Sequence, residues 1–257
     1  MWVRRGFGVF FARPLAFAAL FTGFLFFGLV ALLVPQVGPI LLLASLPLVS
    51  LGFMLATQRA LQGQLPGPGV FVAPLRVDRP RSIAMLRMGL AYAVASVLII
   101  WFSDVADGGK FDALQQAMSG GAEDASAIAA LLADPQLQLG LLLRFGLASL
   151  LSLPFWHAPA LVHWGGQGVG KALFFSTVAI WRNMGAFVVY GLAWGAAILL
   201  FGALANVFAA VTEQAQLVAL AALPAGLLFS TVFYASLYFT FVDCFAPDEA
   251  GTADGEP

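Results

Sequence analysis

Apolar residues run along this chain in blocks too long for the helices of a soluble domain. From Pro14 to Gln58 no residue is charged, and Pro35-Gln36-Val37-Gly38-Pro39 divides that run into two pieces of spanning length, about 14–34 and 40–56. A third block, about 83–102, carries Arg87 one turn inside its start, and a fourth, about 137–162, contains Arg144 and His157. Two further charge-free stretches flank Glu213 and supply spans at about 184–211 and 217–242. Unpaired backbone groups cost several kcal/mol in hydrocarbon, so each block must be helix or part of a closed barrel. Long runs without alternation exclude the barrel. The pattern predicts an all-α polytopic membrane protein, six transmembrane helices paired as three hairpins in a single membrane domain over 1–245.

Between the third and fourth blocks, residues 103–136 are polar enough to lie outside the membrane. Periodicity there predicts two amphipathic helices, one with Phe111, Leu114 and Met118 on a face, the other with Ile128, Leu131 and Leu132, parted by Gly120-Gly121. Residues 246–257, rich in Pro, Gly and acids, are expected to be a disordered tail.

Composition agrees with this picture: 61% of the chain is hydrophobic and 10% charged, against about 25% charged in soluble domains. A net charge of −1 leaves no basic surface for nucleic acid. Where the bases fall matters more than their sum. Ten of the twelve, namely Arg4, Arg5, Arg13, Arg59, Arg76, Arg79, Arg81, Arg87, Lys171 and Arg182, flank one end of the spans. Lys110 and Arg144 flank the other, so both termini are expected in the cytoplasm. Arg4-Arg5 before an apolar run is reminiscent of a signal peptide, but that run exceeds an h-region of about 7–15 residues and reads as a retained helix.

Three times the chain presents a Gly-x-Gly, then aromatic residues and an Arg, then a hairpin: Gly6-Phe7-Gly8 with Arg13, Gly67-Pro68-Gly69 with Arg76, and Gly168-Val169-Gly170 with Arg182. The second helix of each hairpin carries a Leu-Pro step, at Pro47, Pro154 and Pro224. Such similarity points to an internal pseudo-repeat. In Phe174-Phe175-Ser176, Ala179, Trp181-Arg182-Asn183 and Ala186-Phe187, together with Ser50 and Gly52-Phe53-Met54 after Pro47, the chain resembles a family of six-span proteobacterial inner-membrane proteins of unknown function. That resemblance implies topology and an inner-membrane location, and no chemistry. A more distant likeness is to the membrane domain of glycerophosphodiester phosphodiesterases, whose catalytic carboxylates have no counterpart here.

Candidate chemistry is sparse. Gly165 to Lys171 has the spacing of a phosphate-binding loop, but Ala172 replaces the hydroxyl that ligates magnesium and no strand precedes it. His157 and His163 stand about 120° apart on a helix, too far for one metal. No nucleophilic triad, metal motif or carboxylate relay occurs in the spans, so no enzyme, cofactor or metal is expected. Cys244 is the lone cysteine and reads as idle.

What remains is a set of anomalous polar residues. Arg144 sits inside a span, where a charge costs at least about 2–3 kcal/mol unless it snorkels or meets a partner, for which Asp104, Asp134 and Glu213 are candidates. His157 is expected to fill a kink and bond a freed carbonyl. Asn206, Tyr234 and Tyr238, with Ser230 and Thr231, are candidates for helix packing or for a polar path, and Gly191-x-x-x-Gly195 for close helix approach. Arg13, Arg76, Lys171 and Arg182, with Asn183 at a helix start, form a candidate site for anionic headgroups. The expected function is a non-enzymatic inner-membrane protein that binds membrane lipids or assists a membrane partner or a second copy. The alternative is a small transporter or channel.

Overall fold

The computed structural model describes residues 1–119, 125–212 and 215–245. The expected tail at 246–257, Gly120-Gly121 and Glu213 lie outside them. Helix α1 (Trp2–Ala12) precedes the hairpin of α2 (Pro14–Leu32) and α3 (Val37–Leu61). Two single 3₁₀ turns, Pro68–Phe71 and Ala73–Arg76, precede α4 (Arg79–Asp107). Short helices α5 (Lys110–Ser119) and α6 (Ala125–Leu132) lead to α7 (Pro135–Phe155) and α8 (Ala158–His163). Helix α9 (Val169–Arg182) then precedes α10 (Met184–Thr212) and α11 (Ala215–Phe245). Among the described residues six segments are long and apolar enough to cross a membrane: α2, α3, α4, α7 with α8, α10 and α11.

Each hairpin is thus preceded by a short helical element: α1, the two 3₁₀ turns, or the helix over Val169–Arg182. The first Gly-x-Gly is helical, since Gly6 and Gly8 lie inside α1. Gly6 is buried against α11, where a Cβ would stand 2.9 Å from the Cβ of Ser236. Only glycine lets the two helices approach that closely.

The helix ends follow local chemistry. Asp78 caps α4 by accepting from the Arg81 N–H at 2.8 Å, and Asp134 caps α7 by accepting from Gln136 at 2.8 Å. Helix α4 outruns the expected 83–102 and stops at Gly108, whose left-handed φ of 64° closes it. Asp104 and Asp107 are therefore helical residues, not loop residues. The fourth span is not one helix: it breaks after Phe155 and resumes at Ala158.

The start of α1 and the end of α11 lie on one face, since Asp243 in the last turn of α11 accepts from Trp2 Nε1 at 2.8 Å and from Arg5 at 2.9 Å. The buried core gathers toward that face. Residues Leu51 to Thr57 of α3 are buried without interruption, packed with Phe17, Phe21, Met88, Val162, Val232 and Phe239. Toward the far face α2 and α10 turn most of their large apolar side chains outward, Leu29, Leu199 and Leu204 among them.

Candidate functional site

At the far face, α4 and α7 are joined by charge. Arg144, about 13 Å inside the start of α7 at 1.5 Å per residue, bonds Asp104 and lies 3.8 Å from the fully buried Asp107. Its guanidinium also stacks 3.9 Å from the Phe111 ring centroid. Gly140 makes room for this approach, since a Cβ there would stand 2.5 Å from that of Asp107. Lys110 bonds Asp134, holding that carboxyl below the usual carboxylate range. Asp107 was not among the expected partners, because an apolar-run boundary at 102 hid its place in the helix. Of the expected α5 face, Leu114 is buried and Met118 is exposed.

The break in the fourth span holds a buried polar network. Pro154 and the turn at Trp156 leave Leu153 C=O and His157 N–H without their helical partners. Ser176 of α9 supplies both, donating to Leu153 O at 3.0 Å and accepting from His157 N at 3.0 Å. The expectation that His157 would meet the freed carbonyl is corrected: its ring lies 3.1 Å from the Thr240 hydroxyl instead. Thr240 donates its one hydrogen to Leu237 O and accepts from Trp156 Nε1, so His157 must donate from Nε2. Its Nδ1 is then a buried acceptor with no partner among the described residues. Rings of Phe187, Phe241 and Phe245 surround it. Nearby, the Tyr190 hydroxyl meets Ser236 at 2.6 Å.

The remaining candidates separate. Asn206 is exposed and bonds Gly202 O of its own helix, so it joins no polar path. Tyr238 packs on Trp164, and Tyr234 stacks on Phe53 beside a small cleft in the middle of the bundle. A Cβ on Gly191 or Gly195 would meet nothing within 4 Å, which corrects their expected role in close helix approach within the chain. Arg13 donates to Gly63 O at 3.3 Å, while Arg76 and Lys171 are exposed away from any described cavity.

Arg182 and Asn183 alone of the expected lipid ligands share a cavity. It measures about 410 Å³ and is lined by Phe175, Val178, Ala179, Arg182, Asn183, Asp243, Cys244 and Phe245. The Asn183 amide is turned back on Ala179 O at 2.8 Å, so it steadies the α9 end and is not aimed outward. No carboxylate pairs with Arg182 among the described residues. A second, mostly apolar groove of about 400 Å³ runs between α1 and α10, over Trp2, Val3, Ala186, Val189 and Ala193. Asp243 borders both. It is held by Trp2 and by Arg5, whose guanidinium lies 4.2 Å from the Phe239 ring centroid. The contact of Trp2 and Arg5 with Asp243 was not legible in the sequence, because the residues sit about 240 positions apart and no local pattern marks Asp243.

No family model and no solved structure matches this chain. It is similar to a protein described as a probable inner membrane protein of Burkholderia thailandensis, with 34% identity over 255 residues that cover 98% of this chain and 92% of that one. Together with six spans and a paired terminal face, that similarity over nearly the whole of both chains places this protein in the same family of integral inner membrane proteins.

Proposed function

We propose that the protein is a non-enzymatic phospholipid-binding protein whose site is the mouth formed by α1, α9, α10 and α11, on a terminal face that looks into the cytoplasm. The observation that carries this reading is the Arg182 guanidinium, without a carboxylate partner among the described residues, in a basin whose neighbouring groove is apolar and shares Asp243 as its border. Both hollows fall within the range of about 300–1,000 Å³ usual for ligand sites. A phosphate suits Arg182, whose planar donors bind two oxygens at once. One acyl chain then lies along Val189 and Ala193. Across the mouth, Arg5 and Arg182 outweigh Asp243 by one positive charge, which favours an anionic headgroup. Anionic lipid in the inner leaflet would attract each base by about 1 kcal/mol.

Retention of lipid after release from membranes tests the reading. Arg182→Gln should lower the bound phosphatidylglycerol several-fold, and Val189→Trp, which fills the groove, should do the same, while Lys171→Gln changes it little. Equal retention by all three would refute the site. Orientation is read separately by thiol labelling from outside the cell: Met118→Cys should react and Arg79→Cys should not.

A further inference from the structure

Midway through the bundle, the second helices of all three hairpins meet α4 around a cleft of about 180 Å³. Leu46, Pro47 and Ser50 come from α3, Tyr92 from α4, and Ser152, Phe155 and Trp156 from α7 and its end. Phe233, Tyr234 and Leu237 of α11 complete it. Half of this lining is aromatic, and none of it is charged. Pro47 and the helix break next to Pro154 put two of the three Leu-Pro steps at the cleft, which the phospholipid reading leaves without a purpose.

Hydroxyls decide what the cleft suits. Ser50 is engaged with Pro47 O at 3.0 Å and Ser152 with Ser149 O at 2.6 Å. Tyr92 bonds Ser96. Tyr234 is partly buried, its ring fixed by Phe53 at 5.1 Å and Phe21 at 6.2 Å; its hydroxyl is not sealed inside the protein and makes no hydrogen bond among the described residues. A hydroxyl left unpaired away from water costs on the order of 1–3 kcal/mol, and hydrocarbon offers it nothing. The cleft therefore presents a donor that wants an acceptor, walled by rings that want a planar partner.

Depth narrows the acceptor further. Tyr92 lies midway along α4, so the cleft is near the bilayer centre, about 15 Å from either edge of the hydrocarbon core. The ester carbonyls of a phospholipid sit at that edge and do not reach it. The volume is below that of a site enclosing a whole drug-sized molecule, so it holds a head while a tail stays in the bilayer.

We propose that this cleft binds the planar, carbonyl-bearing ring of an uncharged membrane-dissolved molecule, of the substituted quinone class, with a ring carbonyl accepting from Tyr234. This site is separate from the phospholipid mouth and shares no residue with it. The full-length protein in phosphatidylcholine nanodiscs is titrated with a decyl-substituted benzoquinone, following quenching of tryptophan fluorescence. Saturable quenching is expected, and Trp156→Phe should remove the saturable part because Trp156 alone of the tryptophans lines the cleft. Tyr234→Phe removes one oxygen and keeps the ring, and should weaken binding about threefold to tenfold, the worth of one hydrogen bond. Ser152→Phe fills the cleft and should abolish saturation. Decylbenzene, which lacks a carbonyl, and a diacylglycerol, whose carbonyls are esters, should compete at least tenfold more weakly. Unsaturable quenching in the wild type, or equal affinity of wild type and Tyr234→Phe, overturns the proposal. Tyr234→Phe decides the matter even where the filling variant fails to fold.

Discussion

The two halves of this bundle are held by different physics. At the terminal face, buried rings and hydroxyls interlock the helices: Ser176 bridges Leu153 O and His157 N–H, Thr240 meets Trp156 and His157, and Tyr190 meets Ser236. Toward the far face, α2 and α10 present bare apolar surface outward, and α4 and α7 are joined by Arg144, Asp104 and Asp107. In hydrocarbon, apolar surface gains nothing from meeting a neighbour, since lipid tails are as apolar as leucine. Association must come from close packing or polar bonds. The terminal half uses many small polar bonds and aromatic contacts, and the far half concentrates its attraction in one charged cluster. The described hollows lie midway through the bundle and at its terminal face.

Removing the concentrated link should have the largest effect. Arg144→Met leaves Asp107 buried without a counter-charge, and breaking such a pair costs about 3–5 kcal/mol, reduced here because Asp104 is partly exposed. Thermal unfolding in detergent should fall sharply, and Asp104→Asn with Asp107→Asn in the same chain should restore much of it. A variant as stable as the wild type would show that α4 and α7 hold without charge.

Forcing apart the terminal half should cost less. Gly6→Val drives a side chain into Ser236, and overpacking of this kind costs about 1–3 kcal/mol. Displacing α1 also releases Asp243 from Trp2, so Trp2 fluorescence should shift along with stability. Ser176→Ala orphans the His157 N–H at the helix break and leaves Leu153 O only the longer 3.4 Å bond from Trp156 N, for about 1–3 kcal/mol, with faster amide exchange confined to the start of α8. If exchange spreads equally through α11, the network is less local than described.

The smallest effect belongs to Lys110 and Asp134. The lysine holds this carboxyl's pKa below its unfolded value, so its contribution is complete above the ordinary carboxylate range and fades as pH falls through the lowered folded value. Asp134→Asn keeps the cap on α7 and removes the charge, and should flatten that part of the stability profile below about pH 4. An unchanged acid slope would assign it to other carboxylates.

The spans were legible because bilayer thickness imposes a length on apolar runs that no other constraint imitates. Their ends were less so. Asp104 and Asp107 extend α4 because Arg144 across the bundle makes a charged helical turn favourable, a tertiary effect absent from local pattern. Arg182 was readable as a base at a span mouth, but its distinction from Arg13, Arg76 and Lys171 lies in what surrounds it. Arg13 is engaged with a backbone carbonyl, and the others are exposed and line none of the described hollows. The Trp2, Arg5 and Asp243 contact closes the chain on itself, and nothing local to either end announces it.

The most direct measurement is an experimental density map of the protein in nanodiscs containing phosphatidylglycerol. The account predicts a headgroup phosphate within hydrogen-bond distance of the Arg182 guanidinium, and an acyl chain along Val189 and Ala193 beside Trp2. A well-ordered Arg182 turned to water over an empty basin, with lipid no denser in that groove than elsewhere on α10, would contradict it.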